Sequence, residues 1–213
     1  MTRPTLAFLA LFAAGCALAP PLGNPESPRF ARDAPPTYRV KLETSRGPIL
    51  IEVHRDWAPH GADRFYHLVR AGYYDDNRFF RVVKGRWAQF GINGDPKIAS
   101  LWRTRTIPDD AKGHSNVRGT VTFAFAEPNG RATQVYIALA NLSDPQDTQG
   151  FVPFGEVVGG MDTADALSSE YGENSGSGIR AGKQQPLFDG GNAYMDREFP
   201  RLDKIYRASV ISH

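Results

Sequence analysis

Between Phe79 and Pro96 the sequence FFRVVKGRWAQFGINGDP reads as two short strands folded back on each other at Lys84-Gly85. A strand bound for a core has no use for Arg81 and Gln89 beside its apolar neighbours. Polar groups set among buried ones are hydrogen-bonded or serve a ligand. An arginine in such a run is otherwise a solvated or snorkelling side chain, so the stretch is a lead whose value depends on partners elsewhere in the chain.

The flanking segments supply a sheet for it to join. Tyr38, Val40 and Leu42, then Ile49, Ile51 and Val53, alternate around Ser45-Arg46-Gly47 and predict a hairpin with one buried face. From Pro59, the spacing of Ala62, Phe65, Leu68 and Val69 predicts an amphipathic helix that stops at Ala71-Gly72. Residues 93–119 are poor in apolar side chains and read as a long, mostly irregular excursion, of a length that usually serves function. Strands are expected over Thr120–Ala126 and Thr133–Leu139 around the turn Glu127-Pro128-Asn129-Gly130. A further strand over Phe151–Val158, a short helix over Asp162–Ser168 and a last strand over Tyr206–Ile211 complete the pattern. Many short strands with two helices and long loops fit a closed or nearly closed antiparallel barrel better than alternating βαβ units.

Several chemistries are excluded or disfavoured. The formal charge of +2, from 25 basic and 23 acidic residues, makes no stripe to hold nucleic acid. One cysteine, Cys16, forms no internal disulfide and no CxxC site. The histidines at 54, 60, 67, 114 and 213 show no metal-ligand spacing, and neither a Gly-x-Ser-x-Gly elbow nor a Walker loop occurs, so neither a metal nor a cofactor is expected.

The beginning of the chain points to export. Arg3, the apolar run Leu6–Ala14 and the small residues up to Cys16 read as a secretory signal, too short for a membrane span. Ala13-Ala14-Gly15-Cys16 resembles a bacterial lipoprotein box, in which Cys16 carries the lipid; an ordinary signal peptide that happens to contain a cysteine is the alternative. Six of the sixteen prolines fall between residues 19 and 36, a density that suits an extended tether. The expected organisation is a signal peptide over 1–15, a Pro-rich tether over 16–36 and one folded domain over 37–213, at the periplasmic face of a bacterial membrane or soluble in the periplasm. No coiled coil or obvious edge element appears, so a monomer is expected.

The separated motifs FFRVVKGRWAQFG (79–91), GINGDP (91–96), RGTVTFAFAEPNGRATQVYI (118–137), FVPFGEVVGGMD (151–162) and GNAYMDREFPRLDKI (191–205) together resemble the cyclophilin-type peptidyl-prolyl cis/trans isomerases of a bacterial, exported kind. The resemblance spans about Tyr38 to Ile211 and implies a closed eight-stranded antiparallel barrel capped by two α-helices. It also implies an isomerase that assists the folding of exported proteins, without cofactor, acting on proline-containing peptides or unfolded chains. By position, the family's catalytic arginine falls on Arg81 and its substrate-orienting glutamine on Gln89, with Ala124, Gln134 and Tyr136 as further walls of the proline site. Leu142 is placed to help grip the ring.

Five positions depart from the family's pattern. Arg86 and Trp87 stand where an aromatic and an aliphatic residue are usual, Phe125 replaces an asparagine, Phe151 replaces a histidine, and Tyr136 replaces the phenylalanine that floors the family's proline pocket, keeping the ring and adding a hydroxyl. The rim segment 141–150 offers no aromatic side chain, which implies weak binding of cyclosporin-type macrocycles. These departures keep open a second reading, a barrel that grips a proline-containing loop without accelerating its rotation.

Overall fold

The computed structural model describes residues 21–176 and 183–212; the expected signal peptide and Cys16 lie outside the described residues. β1 (Thr37–Thr44) and β2 (Gly47–His54) form the expected hairpin, with Thr44 opposite Gly47 and Tyr38, Val40, Leu42, Ile49, Ile51 and Val53 all buried. α1 (Pro59–Arg70) starts on Pro59, which needs no N–H at that position, and lays Ala62, Phe65, Leu68 and Val69 on the core. β3 (Asn77–Arg78), β4 (Arg81–Val83) and β5 (Trp87–Phe90) follow, then β6 (Thr120–Phe123), β7 (Val135–Ala138), β8 (Pro153–Gly159) and β9 (Lys204–Ser212).

These strands make one nine-stranded sheet in the order β3-β9-β1-β2-β8-β6-β7-β5-β4, with every pairing antiparallel. The sheet curls but does not close, which corrects the expected eight-stranded closed barrel: its edges stay 9 Å apart. The seam falls at two residues. β3 pairs with β9 and β4 pairs with β5, and the chain crosses between these edges through Phe79 and Phe80. Phe79 N–H donates to Asp203 O, while the Phe80 carbonyl accepts from the Ser175 hydroxyl at 2.6 Å and not from a strand. Consecutive pieces of one chain thus form both edges, and the seam is joined covalently.

The helices also exceed the two expected. Besides α1 there are α2 (Pro96–Arg103), the short α3 (Ser143–Gln146), α4 (Met161–Asp165) and α5 (Gln185–Glu198). α2 interrupts the excursion read as irregular; Asp95 caps it by accepting from Lys97 N–H at 2.8 Å, with Pro96 in the first turn. α5 is bent at Gly191, whose φ of 55° and ψ of −148° no helix shares. That bend lets α5 meet the GINGDP motif: Asn192 N–H donates to Gly94 O at 3.0 Å, and a Cβ on Gly191 would stand 2.1 Å from the same oxygen. Two motifs about a hundred residues apart in sequence form one close backbone contact.

Much of the core is aromatic. Phe65, Tyr74, Phe79, Phe90, Phe123 and Phe154 are essentially buried and meet edge-on or tilted at centroid distances of 5.0–5.5 Å, an arrangement that adds about 0.5–1.5 kcal/mol per pair beyond area burial. The described part of the Pro-rich segment lies on this body. Phe30 packs edge-on against Trp102 at 4.7 Å, Trp102 Nε1 donates to Leu22 O, Ala34 N–H donates to Asp63, and His67 Nε2 bonds Arg32 O at 2.6 Å. No helix among the described residues is long and apolar enough to cross a membrane.

Candidate active site

The two-residue period of the strands sorts the side chains around Arg81. In β4–β5–β7–β6 the directly opposed residues Val82, Ala88, Ile137 and Val121 all face the core. The adjacent row, Arg81 opposite Gln89, Gln89 opposite Tyr136 and Tyr136 opposite Thr122, therefore faces the other way. One register sets the cation, the amide and the aromatic ring side by side on the outer face of the sheet. Arg81 Nη1 donates to Gln89 Oε1 at 3.1 Å, and Gln89 Nε2 donates to Gln134 Oε1 at 2.8 Å.

Next to this row is a cavity of about 230 Å³ lined by Arg81, Trp87, Gln89, Ala124, Phe125, Tyr136 and Phe151, with Ala126, Gln146 and Gln149 completing it. Phe125 and Phe151 meet at 4.4 Å, and Tyr136 stands edge-on to Phe151 at 5.9 Å, giving an aromatic wall. Arg131, almost fully buried, braces that wall from behind with its guanidinium 4.2 Å from the Phe125 ring centre, while pairing with Asp109. Trp87 also lines the cavity and clusters with Tyr136, with Arg81 at 4.7 Å and Arg86 at 4.3 Å from its ring. Trp87 is 9% exposed, so it supplies the hydrophobic side left open by Arg86.

Three residues singled out in the sequence take other places. Arg86 is exposed in the β4–β5 turn and does not line the cavity; it stacks on Trp87. Leu142 is buried beneath the site in a cluster with Trp87, Tyr136 and Ala138. Gln134 lines a neighbouring cavity of about 300 Å³, with Arg103, Glu127, Gln184 and Phe188, that shares Ala124 and Ala126 with the first.

Sequence reasoning missed the residues that hold the site from outside the sheet. Asn116, fully buried although it lies in the polar KGHSN stretch, accepts from the Tyr136 hydroxyl at 2.7 Å and from Thr122 at 2.9 Å. Its own amide donates to Asp147 and to Phe151 O, both at 2.8 Å. Burial pushes the Tyr136 phenol well above its ordinary range. Partial burial works to raise the Asp147 carboxyl, but side-chain and backbone hydrogen bonds from Asn116 hold it below the usual carboxylate value. Gln146 and Gln149 bring amides to the rim, and Gln146 Oε1 and Trp87 Nε1 are buried without a partner among the described residues. The Glu173 carboxylate meets Arg81 from the segment after α4. Among the described residues no group of three His, Cys, Asp or Glu side chains is placed to hold a metal.

Comparison with known proteins agrees with this geometry. Residues 39–186 match the family described as cyclophilin type peptidyl-prolyl cis-trans isomerase/CLD. The chain is 32% identical over 158 residues to peptidyl-prolyl cis-trans isomerase A of Dickeya dadantii, covering 70% of this chain and 80% of that protein. It is 35% identical over 128 residues to peptidyl-prolyl cis-trans isomerase ppi1 of Schizosaccharomyces pombe, covering 57% and 79%. The crystal structure of a cyclophilin type isomerase from Cryptosporidium parvum superposes with a TM-score of 0.61 at 21% identity, over 83% of this chain and 99% of that one. Cyclophilin AquaCyp293 from Hirschia baltica superposes with a TM-score of 0.58 at 15% identity, over 84% and 76%. The chain belongs to the cyclophilin-type peptidyl-prolyl cis-trans isomerase family, whose general role is to assist protein folding and whose members bind proline-containing peptides.

Proposed function

From its membership of the cyclophilin-type family, we propose that this chain catalyses cis/trans isomerisation of X-Pro bonds, with the proline ring in the 230 Å³ cavity and Arg81 as the catalytic residue. The observation that carries the reading is the register that puts Arg81 directly opposite Gln89 at the mouth of an aromatic-walled cavity. An X-Pro bond turns slowly because amide resonance sets a barrier of about 18–20 kcal/mol, and that resonance is lost in the twisted state. The nitrogen lone pair released there is a hydrogen-bond acceptor that exists only during rotation. A permanent cation beside it therefore binds the transition state more tightly than either ground state. Arginine serves because its charge persists and its donors are held in a planar fork.

The other groups have positioning roles. Tyr136, Phe151, Phe125 and Trp87 form the apolar walls that hold the ring. Residues before the proline pass over Ala124 toward the second cavity, where Gln134 and Gln184 offer amides. No step requires a cofactor or a covalent intermediate.

The finer assignment is to exported clients and the periplasm, supported by the signal-like apolar run Leu6–Ala14 and the lipoprotein-like box that ends at Cys16. Leu22 is docked on the domain through Trp102. A lipid on Cys16, six residues earlier, would hold the domain within about 20 Å of the membrane, given the reach of roughly 3.3–3.6 Å per residue. The mass of the mature N-terminus tests this, and an unmodified Cys16 in the mature chain rules it out.

A coupled isomerisation assay on the purified chain tests the activity. Arg81→Ala is expected to lower kcat/KM by about 10²–10³-fold, the scale of losing one preorganised transition-state donor. Undetectable turnover by the parent chain, with proline peptides still bound, would instead establish the binding module that Phe125, in place of the family's asparagine, keeps in view.

A further inference from the structure

Arg81 is gripped by a residue outside the sheet. Glu173 Oε2 accepts from Nε at 2.9 Å and Oε1 from Nη2 at 2.8 Å, so the carboxylate takes one whole edge of the guanidinium in two parallel bonds. Gln89 takes a third N–H, on Nη1. A guanidinium has five; among the described residues two remain unclaimed, one on each Nη, and these are the donors left for a substrate.

The segment carrying Glu173 is itself fixed to the site. Two residues on, the buried Ser175 donates to the Phe80 carbonyl immediately before Arg81, at 2.6 Å. Gln184, also buried, accepts from Gln134 Nε2 at 2.9 Å and donates to Gly176 O at 3.4 Å. Hydrogen bonds therefore run from Glu173 through Arg81, Gln89, Gln134 and Gln184 back to Gly176, three residues from where they began. The side chains of Arg81 and Glu173 are 19% and 45% exposed, which leaves the pair beside the cavity mouth and in reach of a peptide.

We infer that Glu173 is a positioning residue for catalysis: it clamps the Nε/Nη2 edge of Arg81 so that the two free Nη donors face the prolyl nitrogen. The inference rests on the reading of Arg81 as the catalytic residue. A long arginine side chain otherwise samples many rotamers, and only a group already in place contributes fully when the lone pair appears. The clamp acts in the transition state, so its loss falls on kcat and spares KM.

The test compares Glu173→Ala and Glu173→Gln, alone and with Arg81→Ala, in the isomerisation assay. Glu173→Ala is expected to lower kcat about 10- to 100-fold, the cost of a misplaced catalytic group, with KM within about twofold. Glu173→Gln, which keeps one acceptor, is expected to recover part of that loss, and in the Arg81→Ala background neither change has a further effect. An unchanged or raised kcat in Glu173→Ala, or an equal loss in the Arg81→Ala background, overturns the inference. A second readout does not depend on turnover: the Arg81 Nε–H resonance, assigned by its loss in Arg81→Ala, is expected to be protected from solvent exchange in the parent chain and to lose protection in Glu173→Ala. If the parent chain shows no turnover, the activity assignment fails; an Nε–H unaffected by Glu173→Ala removes the clamp itself.

Discussion

Tyr136→Phe restores the residue usual at the floor of the family's pocket, and its cost follows from where the hydroxyl goes. That hydroxyl donates to Asn116 Oδ1 at 2.7 Å, and the same oxygen accepts from Thr122 Oγ1 at 2.9 Å. Deleting the hydroxyl leaves Asn116 with one donor still bound, so no buried polar atom is orphaned. The loss is then the net value of one hydrogen bond, about 1 kcal/mol, which for a domain of this size lowers Tm by roughly 2–4 °C. Asn116→Ala is a different case. It strands two buried hydroxyls and removes the donor to Phe151 O and one donor to Asp147, and at about 1–3 kcal/mol for each unsatisfied group the expected loss is about 3–5 kcal/mol.

Urea unfolding of the parent, both single variants and the double variant measures this directly. In the double variant the Tyr136→Phe step should cost nothing or recover stability, because the hydroxyl it removes has already lost its acceptor. Tyr136 lines the cavity with a ring that the change keeps, and the hydroxyl it loses is turned to Asn116, which does not line it, so Tyr136→Phe should bind a proline peptide within about twofold of the parent. A Tyr136→Phe loss as large as that of Asn116→Ala would refute the single-bond value assigned to the hydroxyl, and a tenfold change in peptide affinity would show that it faces the ligand and not Asn116.

Gly191→Ala places a Cβ 2.1 Å from Gly94 O at a φ of 55°; a loss of about 2–4 kcal/mol in urea unfolding is expected, and a loss under about 0.5 kcal/mol would show that α5 can dock without this contact. Phe30→Ala removes the ring packed at 4.7 Å on Trp102, so trypsin should cut after Arg29 and Arg32 faster than in the parent, and an unchanged cutting rate would show that Phe30 does not hold the segment down. Burial lowers the pKa of His67, so its unfolded form, near pKa 6.5, binds the proton first on acidification. Its contribution to stability is complete above about pH 6.5 and falls as pH drops through that value toward the lower folded pKa. His67→Gln should flatten this part of the stability profile in urea titrations between pH 8 and 5, and identical slopes would refute it.

What was legible in the sequence is what short-range periodicity determines. The β1–β2 hairpin, α1 and the β4–β5 hairpin each follow from alternation or helical spacing interrupted by a turn. The pairing of Arg81 with Gln89 is legible for the same reason: eight residues apart around a tight turn, they must lie opposite each other or not pair at all. Closure of the sheet is not such a property. It is decided between segments far apart in sequence: at the seam the Phe80 carbonyl accepts from Ser175, 95 residues away. α5 is hidden differently, because Gly190-Gly191 reads as a breaker while the fold uses the positive φ of Gly191 to bend the helix onto Gly94.

The site divides along the same line. Its cross-strand row, Arg81, Gln89, Tyr136 and Thr122, is dictated by a period of two and shared registers. Asn116, Gln146, Gln149 and Glu173 come from loops whose composition reads as solvated surface, yet Asn116 is wholly buried and Glu173 holds the guanidinium. Family motifs identify the row because the chemistry needs it, and they say nothing of the loops because different loops can hold the same row. The positions that depart from the family's pattern behave accordingly: Trp87 and Phe151 substitute as walls within the row's cavity, while Arg86 leaves the cavity and braces Trp87 from outside. On the proposed assignment, rate and selectivity particular to this chain should therefore respond most to changes in the loop residues, whereas changes in the row should decide whether there is a reaction at all.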